Sequence, residues 1–190
     1  MITGKQFAKQ ARSDKYTGIK YSKLDCQAFV EKVLYDAGCR KTDGAAYNWK
    51  GSNSMWRNAL SWRGTISECR EKFGSIPDGA WVFIVKYDGG EKDRGYNDGE
   101  GNATHVGIYV GDNTTRDSTR TTGGRDGVGY RPLSDWNMVG LCKYLDYNYT
   151  NKDNNIEDCI SVINSIRTQL TNLERMIKKC LVGNQAFLRK

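Results

Sequence analysis

Apolar residues recur at helical spacing in the first part of the chain and alternate with polar residues further on. The clearest helical pattern places Phe29, Val33 and Ala37 four residues apart. It predicts a helix over residues 26–37, and Gly38 follows where helices commonly end. Further helical segments are predicted at 3–12, within 48–62 and at 65–74. Most of the first 75 residues are therefore predicted to be helical.

Short runs rich in β-branched and aromatic residues predict strands in the following part of the chain. These runs lie at 79–87, 104–110, 114–120, 127–133 and 138–147. The turn residues "GDN" after the second run predict a hairpin between the second and third strands. Helices followed by strands are typical of an α+β fold, here N-terminal helices and then a small antiparallel sheet.

A polar segment separates these elements from a long helix with a heptad pattern. We predict a domain over residues 1–149, a linker over 150–155 and the helix over 156–190. The seam positions of the heptad are all apolar residues or cysteines, namely Ile156, Cys159, Ile163, Ile166, Leu170, Leu173, Ile177 and Cys180. Two interpretations fit this pattern. The helix packs against its own domain, or it self-associates as a bundle that forms a homo-oligomer through residues 156–182.

Charge and hydropathy restrict the classes of partner. The net charge of +7 favours anionic polymers such as a bacterial cell wall or nucleic acid. Nucleic acid is not an expected partner, because no recognition-helix, zinc-knuckle or RNA-binding motif is present. No run reaches the roughly 18 apolar residues of a membrane span, and no membrane insertion is expected. The N-terminal residues lack the apolar core of a signal peptide.

The sequence offers little support for metal or cofactor chemistry. The six cysteines include no C-x-x-C pair and the chain has one histidine, a combination that argues against the usual zinc sites. The acidic residues of the glycine-rich segment 88–103 do not match the spacing of a calcium-binding EF-hand loop. This segment is predicted to be a solvated loop beside a cleft. No metal and no cofactor is expected, and most cysteines are interpreted as small core residues.

One cysteine is distinguished by its position. Cys26 is predicted at the first position of a helix, directly after Asp25 as the N-cap. The N-terminus of a helix stabilises a thiolate, and its free N–H groups can stabilise the oxyanion that forms when sulfur adds to a carbonyl. A general base is still needed to remove the thiol proton. His105 is the only imidazole that the chain offers.

The strand that carries His105 suggests a third polar residue. Alternation places His105, Gly107 and Tyr109 on one face of the strand. The opposite face is the predicted core face, formed by Val106, Ile108 and Val110. If the hairpin turn is centred near residues 111–112, the numbers of cross-strand partners sum to roughly 222–224. Asp117 then lies near His105 and can orient the imidazole and stabilise its protonated form.

Three segments of the chain form a recognisable set, namely "LDCQAFVEKVLYDAG" at the helix, "GAWVFIVK" at the first strand and "ATHVGIYVGDN" at the second. In this order they resemble motifs of the NlpC/P60 family of cell-wall peptidases. The resemblance covers residues 3–147 and implies a papain-like fold. It also implies that Cys26 is the nucleophile and His105 the base. Asp117 occupies the place of the family's third catalytic residue, which is often histidine in relatives.

The resemblance also implies a substrate site and a reaction. Tyr21 in "GIKY", with Tyr16 as a rival, is implied to line the substrate site together with Asp25. The implied reaction is hydrolysis of an amide bond in peptidoglycan stem peptides. The bond is γ-D-Glu to the third residue, muramoyl to L-Ala, or one in a cross-bridge. "DSTRTTGGRDGVGYRPLSDW" is similar to phage-encoded lysins, which are made in the host cytoplasm and reach the wall through a holin or a virion.

Two further classes of function fit the same residues. The chain could be a non-hydrolytic wall-binding or structural virion module whose papain-like fold has lost turnover. It could also be an acyltransferase or deamidase that uses the same cysteine and histidine on a protein target. The intact Cys26 and His105 pair favours an enzyme over the binding module.

Overall fold

Six antiparallel strands form one sheet, which helices of the N-terminal part of the chain cover. The computed structural model describes residues 1–120, 124–147, 160 and 162–177. The helices of the first part are α1 (Gly4–Ala11), α2 (Cys26–Asp36), α3 (Gly51–Asn58) and α4 (Ile66–Phe73). The strands are β1 (Leu60–Thr65), β2 (Trp81–Lys86), β3 (Asn102–Gly111), β4 (Thr114–Thr119), β5 (Gly127–Pro132) and β6 (Met138–Cys142). Their order across the sheet is β1-β6-β2-β3-β4-β5, and the architecture is mixed α+β, as expected.

Three of these helices begin at side chains that cap them. Thr3 and Thr65 each form a capping box with the residue three positions on, and Asp25 accepts a hydrogen bond from the N–H of Ala28. Helix α4 ends at Gly74, which is left-handed with φ of 78°. The predicted helices at 3–12, 26–37 and 65–74 are therefore confirmed, because local capping and spacing decide where they start and stop.

The expectation that helices precede all strands is wrong at one place. Residues 60–65 form β1, which pairs with β6 from Leu60 opposite Cys142 to Thr65 opposite Met138. Helix α3 therefore stops before the end of the predicted helical region. The pairing depends on a strand that is some 80 residues away in the sequence, so the local pattern contains no sign of it.

The sheet is buried on both faces. One core lies between the sheet and α1, α2 and α3, and it contains Val106, Ile108 and Val110, as the alternation of β3 predicts. A second core covers the opposite face and contains Tyr109, Leu133 and Trp136. Each fully buried large apolar side chain contributes about 1.5–3 kcal/mol to stability. The face that carries His105 is therefore also a packed face.

The hairpin between β3 and β4 has the predicted register. Asp112 and Asn113 form the turn with φ of 51° and 52°, the conformation that tight hairpin turns require. Ile108 pairs with Arg116, so the partner numbers sum to 224, within the predicted range. One step further along this register Asp117 lies opposite Gly107 and diagonal to His105. A Cβ added to Gly107 would lie 3.1 Å from that of Asp117.

The chain divides into two units after Tyr147. In the second unit, residues 160 and 162–177 are helical. Its large apolar side chains are 49–58 % exposed, namely Ile160, Val162, Ile163, Ile166, Leu170, Leu173, Met176 and Ile177. The predicted linker 150–155 and the seam residues Ile156, Cys159 and Cys180 lie outside the described residues. Within the described part of the chain, no helix has the length and apolar character to cross a membrane.

Candidate active site

Cys26 is the first residue of α2 and is 7 % exposed. The first N–H groups of a helix have no acceptor within the helix. The Asp25 carboxylate accepts a hydrogen bond from the N–H of Ala28 at 2.8 Å. The N–H groups of Cys26 and Gln27 remain beside the sulfur, and the helix dipole favours negative charge there. This end of α2 can therefore stabilise both a thiolate and an oxyanion.

The side chain of Gln27 anchors the first turn of α2 to the neighbouring segment of chain. Its amide oxygen accepts from the N–H of Gly51 at 2.6 Å, and its amide nitrogen donates to the carbonyl of Trp49 and to Glu31. The other contact of Glu31 is the N–H of Trp49, at 2.6 Å. These bonds hold the residue after Cys26 in a defined position relative to the segment at Gly51.

His105 is bound at one ring nitrogen by Asp117. The distance from Nε2 to Oδ2 of Asp117 is 2.6 Å, and the Asp117 side chain is fully buried. Because Nε2 is occupied, Nδ1 is the nitrogen that remains for the Cys26 thiol. Burial of the imidazole opposes its protonation, but the hydrogen bond with Asp117 and the interaction with Cys26 prevail and raise the pKa of His105 to about 9. The imidazole is therefore protonated at neutral pH and can give a proton to a leaving group.

The face of the His105 ring is covered by Trp136. The two rings are stacked with centroids 5.2 Å apart and planes within 9° of each other. Gly107 leaves the space for this stacking, since a Cβ there would lie 2.7 Å from the Trp136 ring. The Trp136 indole N–H donates to Thr115 Oγ1 at 2.9 Å. The imidazole is thus held at its edge by Asp117 and at its face by Trp136.

Asp117 also contacts two arginines. Nη2 of Arg125 lies 2.5 Å from Oδ1, and Nη1 of Arg131 lies 3.7 Å from Oδ2. Arg131 is shared with Asp135, whose carboxylate it binds at 2.8 Å. The carboxylate therefore has partners at both oxygens although it is completely buried.

A groove of about 840 Å³ opens in front of Cys26. Tyr21 and Asp25 line it beside the cysteine, and their role in substrate binding stays a prediction. Burial and the neighbouring Cys26 and Asp25 raise the pKa of Tyr21 to about 12. The other wall comes from segments 50–53 and 90–96, so the glycine-rich loop borders the groove.

Tyr16, the rival to Tyr21, does not line the groove. Its side chain is fully buried and packs edge-to-face on Phe29 with ring centroids 5.5 Å apart. The hydroxyl donates to Asp36 at 2.8 Å and accepts from Gln10 at 2.9 Å. The expectation that Tyr16 binds substrate is therefore wrong, because both the ring and the hydroxyl are used inside the domain.

The other described cysteines have core environments. Cys39, Cys69 and Cys142 are buried free thiols. Burial raises the pKa of Cys39, and it raises the pKa of Cys69 and of Cys142 to about 12 each. These thiols stay protonated at neutral pH. Among the described cysteines, Cys26 is the one that lines the groove.

Sequence reasoning missed Trp136 and Arg125. Both approach the site from positions that local pattern does not connect with it. The available signals are Gly107 and Gly129, two glycines within strands that leave space for a large neighbour.

Compared with known proteins, the chain matches no family model and no curated protein sequence. Its chemistry is therefore inferred from the side chains themselves. A thiol, an imidazole and a carboxylate connected in this order, beside free N–H groups and an open groove, can perform nucleophilic acyl transfer.

Proposed function

We propose that this protein is a cysteine peptidase or amidase that hydrolyses an amide bond in the stem peptides of peptidoglycan. One observation carries the proposal. Cys26, at a helix N-terminus in a groove, interacts with His105, which in turn is bound by the buried Asp117. The motif resemblance to NlpC/P60 peptidases supports the wall substrate and a papain-like fold. The basic net charge of +7 supports attraction to an anionic wall.

The reaction uses the three side chains in separate roles. Nδ1 of His105 holds the proton of the Cys26 thiol, and the thiolate attacks the amide carbonyl. The N–H groups of Cys26 and Gln27 stabilise the oxyanion of the tetrahedral intermediate. His105 then gives its proton to the leaving amine, which departs and leaves a thioester on Cys26. Water, deprotonated by His105, hydrolyses the thioester and regenerates the thiol.

The groove has the polar character that a peptide with charged groups requires. Its wall opposite Cys26 includes two cations, a carboxylate and several hydrogen-bonding side chains, namely Lys50, Asn53, Asp93, Arg94, Tyr96 and Asn102. Side chains of both charges suit a stem peptide, which carries carboxylates and amines along a short length. The loop that supplies Arg94 and Tyr96 is tied to α3, where Arg57 binds Asp98 at 2.6 Å.

The decisive experiment uses purified sacculi from several cell-wall types and mass spectrometry of the released peptides. Wild-type protein should release new amino termini, and the masses identify the cleaved bond. Cys26→Ala should abolish release while its circular dichroism and melting temperature stay near those of the wild type. Cys39→Ala is the matched control, because it removes a buried thiol outside the groove and should leave activity in place.

Either of two results would overturn the proposal. Wild-type activity in Cys26→Ala would remove the nucleophile from the mechanism. Binding of the wild-type protein to sacculi without release of any peptide would identify a non-catalytic wall-binding module instead.

A further inference from the structure

A glycine lies on each side of Asp117 in the sheet. Gly107 of β3 lies on one side, and Gly129 of β5 is its cross-strand partner on the other. A Cβ at Gly129 would lie 2.5 Å from Nη1 and 2.7 Å from Cδ of Arg125. The Arg125 side chain thus occupies the space that a larger residue at 129 would take. It passes over Gly129 to contact Asp117.

The guanidinium of Arg125 is held at two points. Nη2 donates to Oδ1 of Asp117 at 2.5 Å, and Nη1 donates to the carbonyl of Tyr130 at 2.8 Å. Two bonds from one planar group define its orientation. Asp117 has one oxygen on Arg125 and the other on His105, so rotation of the carboxylate would break both contacts.

We propose that Arg125 is a positioning residue that acts on His105 through Asp117. It holds the buried carboxylate turned so that Oδ2 faces Nε2 of His105. Arg131 is the weaker contact, since it lies 3.7 Å away and is bound to Asp135. The inference deepens the proposed function and depends on it for its effect on catalysis, whereas its effect on His105 can be measured without any substrate.

The positive charge of Arg125 has a second effect on the imidazole. It opposes the negative charge of Asp117 and so limits how strongly the protonated ring is stabilised. Among the described residues, Cys26 and Tyr21 face the pair from the side of α2, with Asp25 and Arg120 beside Tyr21, and Arg131 with its partner Asp135 faces Asp117. Loss of the Arg125 charge, with Asp117 still on Nε2, should therefore raise the pKa of His105.

The test compares Arg125→Gln with Arg125→Lys. In Arg125→Gln we expect kcat to fall about tenfold or more, and the alkaline limb of the pH profile of kcat/KM to move to higher pH. Arg125→Lys should keep the wild-type alkaline limb, because it keeps the charge, while part of kcat is lost with the second bond. Arg40→Gln, which removes an exposed arginine that stacks on Tyr35, is the control and should change neither quantity.

A second variant reaches the same contact without removing the arginine. Gly129→Ala should displace the Arg125 side chain and lower kcat as Arg125→Gln does. The double variant should be no worse than either single variant, since both act on one contact.

Nuclear magnetic resonance titration of His105 in a Cys26→Ala background separates this inference from the proposed function. The pKa of His105 should be higher when Arg125→Gln is added, whether or not the substrate is known. An unchanged His105 titration together with an unchanged pH profile would overturn the role of Arg125. A shifted His105 titration together with no hydrolysis by the wild-type protein would contradict the proposed function alone.

Discussion

The replacement of Asp117 by asparagine tests the link between the carboxylate and the imidazole most directly. The side chains have almost the same volume, so the packing of this fully buried position is preserved. The variant loses the negative charge at 2.6 Å from Nε2 of His105. It also leaves Arg125 without its carboxylate partner. Asparagine can donate its amide N–H to Nε2, which would favour the tautomer with the proton on Nδ1.

The size of the effect follows from the environment of His105. Its pKa is raised from 6.5 to about 9, a difference of about 2.5 that corresponds to ~3 kcal/mol in favour of the protonated ring. Without the carboxylate, burial and the positive charges of Arg125 and Arg131 all oppose protonation. We therefore expect the pKa of His105 in Asp117→Asn to be near or below 6.5.

The same difference sets the pH dependence of stability. Because the folded-state pKa is raised, the wild-type stabilisation is fully present below pH 6.5 and is lost as the pH rises through about 9. Asp117→Asn should lack this loss between pH 6.5 and 9. Its free energy of unfolding should be lower than that of the wild type by about 1–3 kcal/mol at pH 6, because the protonated His105 loses its carboxylate partner.

The chain has a single histidine, so its proton resonance in a nuclear magnetic resonance titration is unambiguous. The titration should be made in the Cys26→Ala background, which separates the carboxylate from the thiol. kcat/KM of Asp117→Asn with intact Cys26 should be lower by about 100-fold or more. Asp36→Asn is the control, since Asp36 lies at the opposite end of α2. A His105 pKa within about half a unit of that in Cys26→Ala alone would refute the reasoning.

Two further predictions concern residues outside this pair. Tyr16→Phe should lower the free energy of unfolding in urea by about 1 kcal/mol, because the hydrogen bonds to Asp36 and Gln10 are lost. Its kcat/KM should be unchanged. A loss of activity without a loss of stability would contradict this prediction and indicate that Tyr16 takes part in substrate binding. For the C-terminal helix, light scattering after size exclusion should give a multiple of 21.5 kDa for the full chain. The seam variant Ile166→Lys with Leu173→Lys should have the mass of the monomer. Thr168→Lys on the outer face should keep the wild-type mass. A monomeric wild type would favour packing of the helix on its own domain.

The local sequence determined the elements that carry the candidate site. Capping residues and apolar spacing predicted where α2 begins, and so placed Cys26 at its N-terminus. The turn residues Asp112 and Asn113 determined the register of β3 with β4, and so brought Asp117 near His105. Such features can be predicted because they depend on interactions between residues a few positions apart.

Contacts between distant residues were decided only by the tertiary structure. The pairing of β1 with β6, the stacking of Trp136 on His105 and the bond from Arg125 to Asp117 each join separate parts of the chain. The choice between Tyr16 and Tyr21 is of the same kind, since both are tyrosines in similar local sequence. Tyr16 packs against Phe29 in the core, and Tyr21 lies beside Cys26. The reason is that the packing of α1 and α2 leaves space for an aromatic ring at Tyr16 and an open groove at Tyr21.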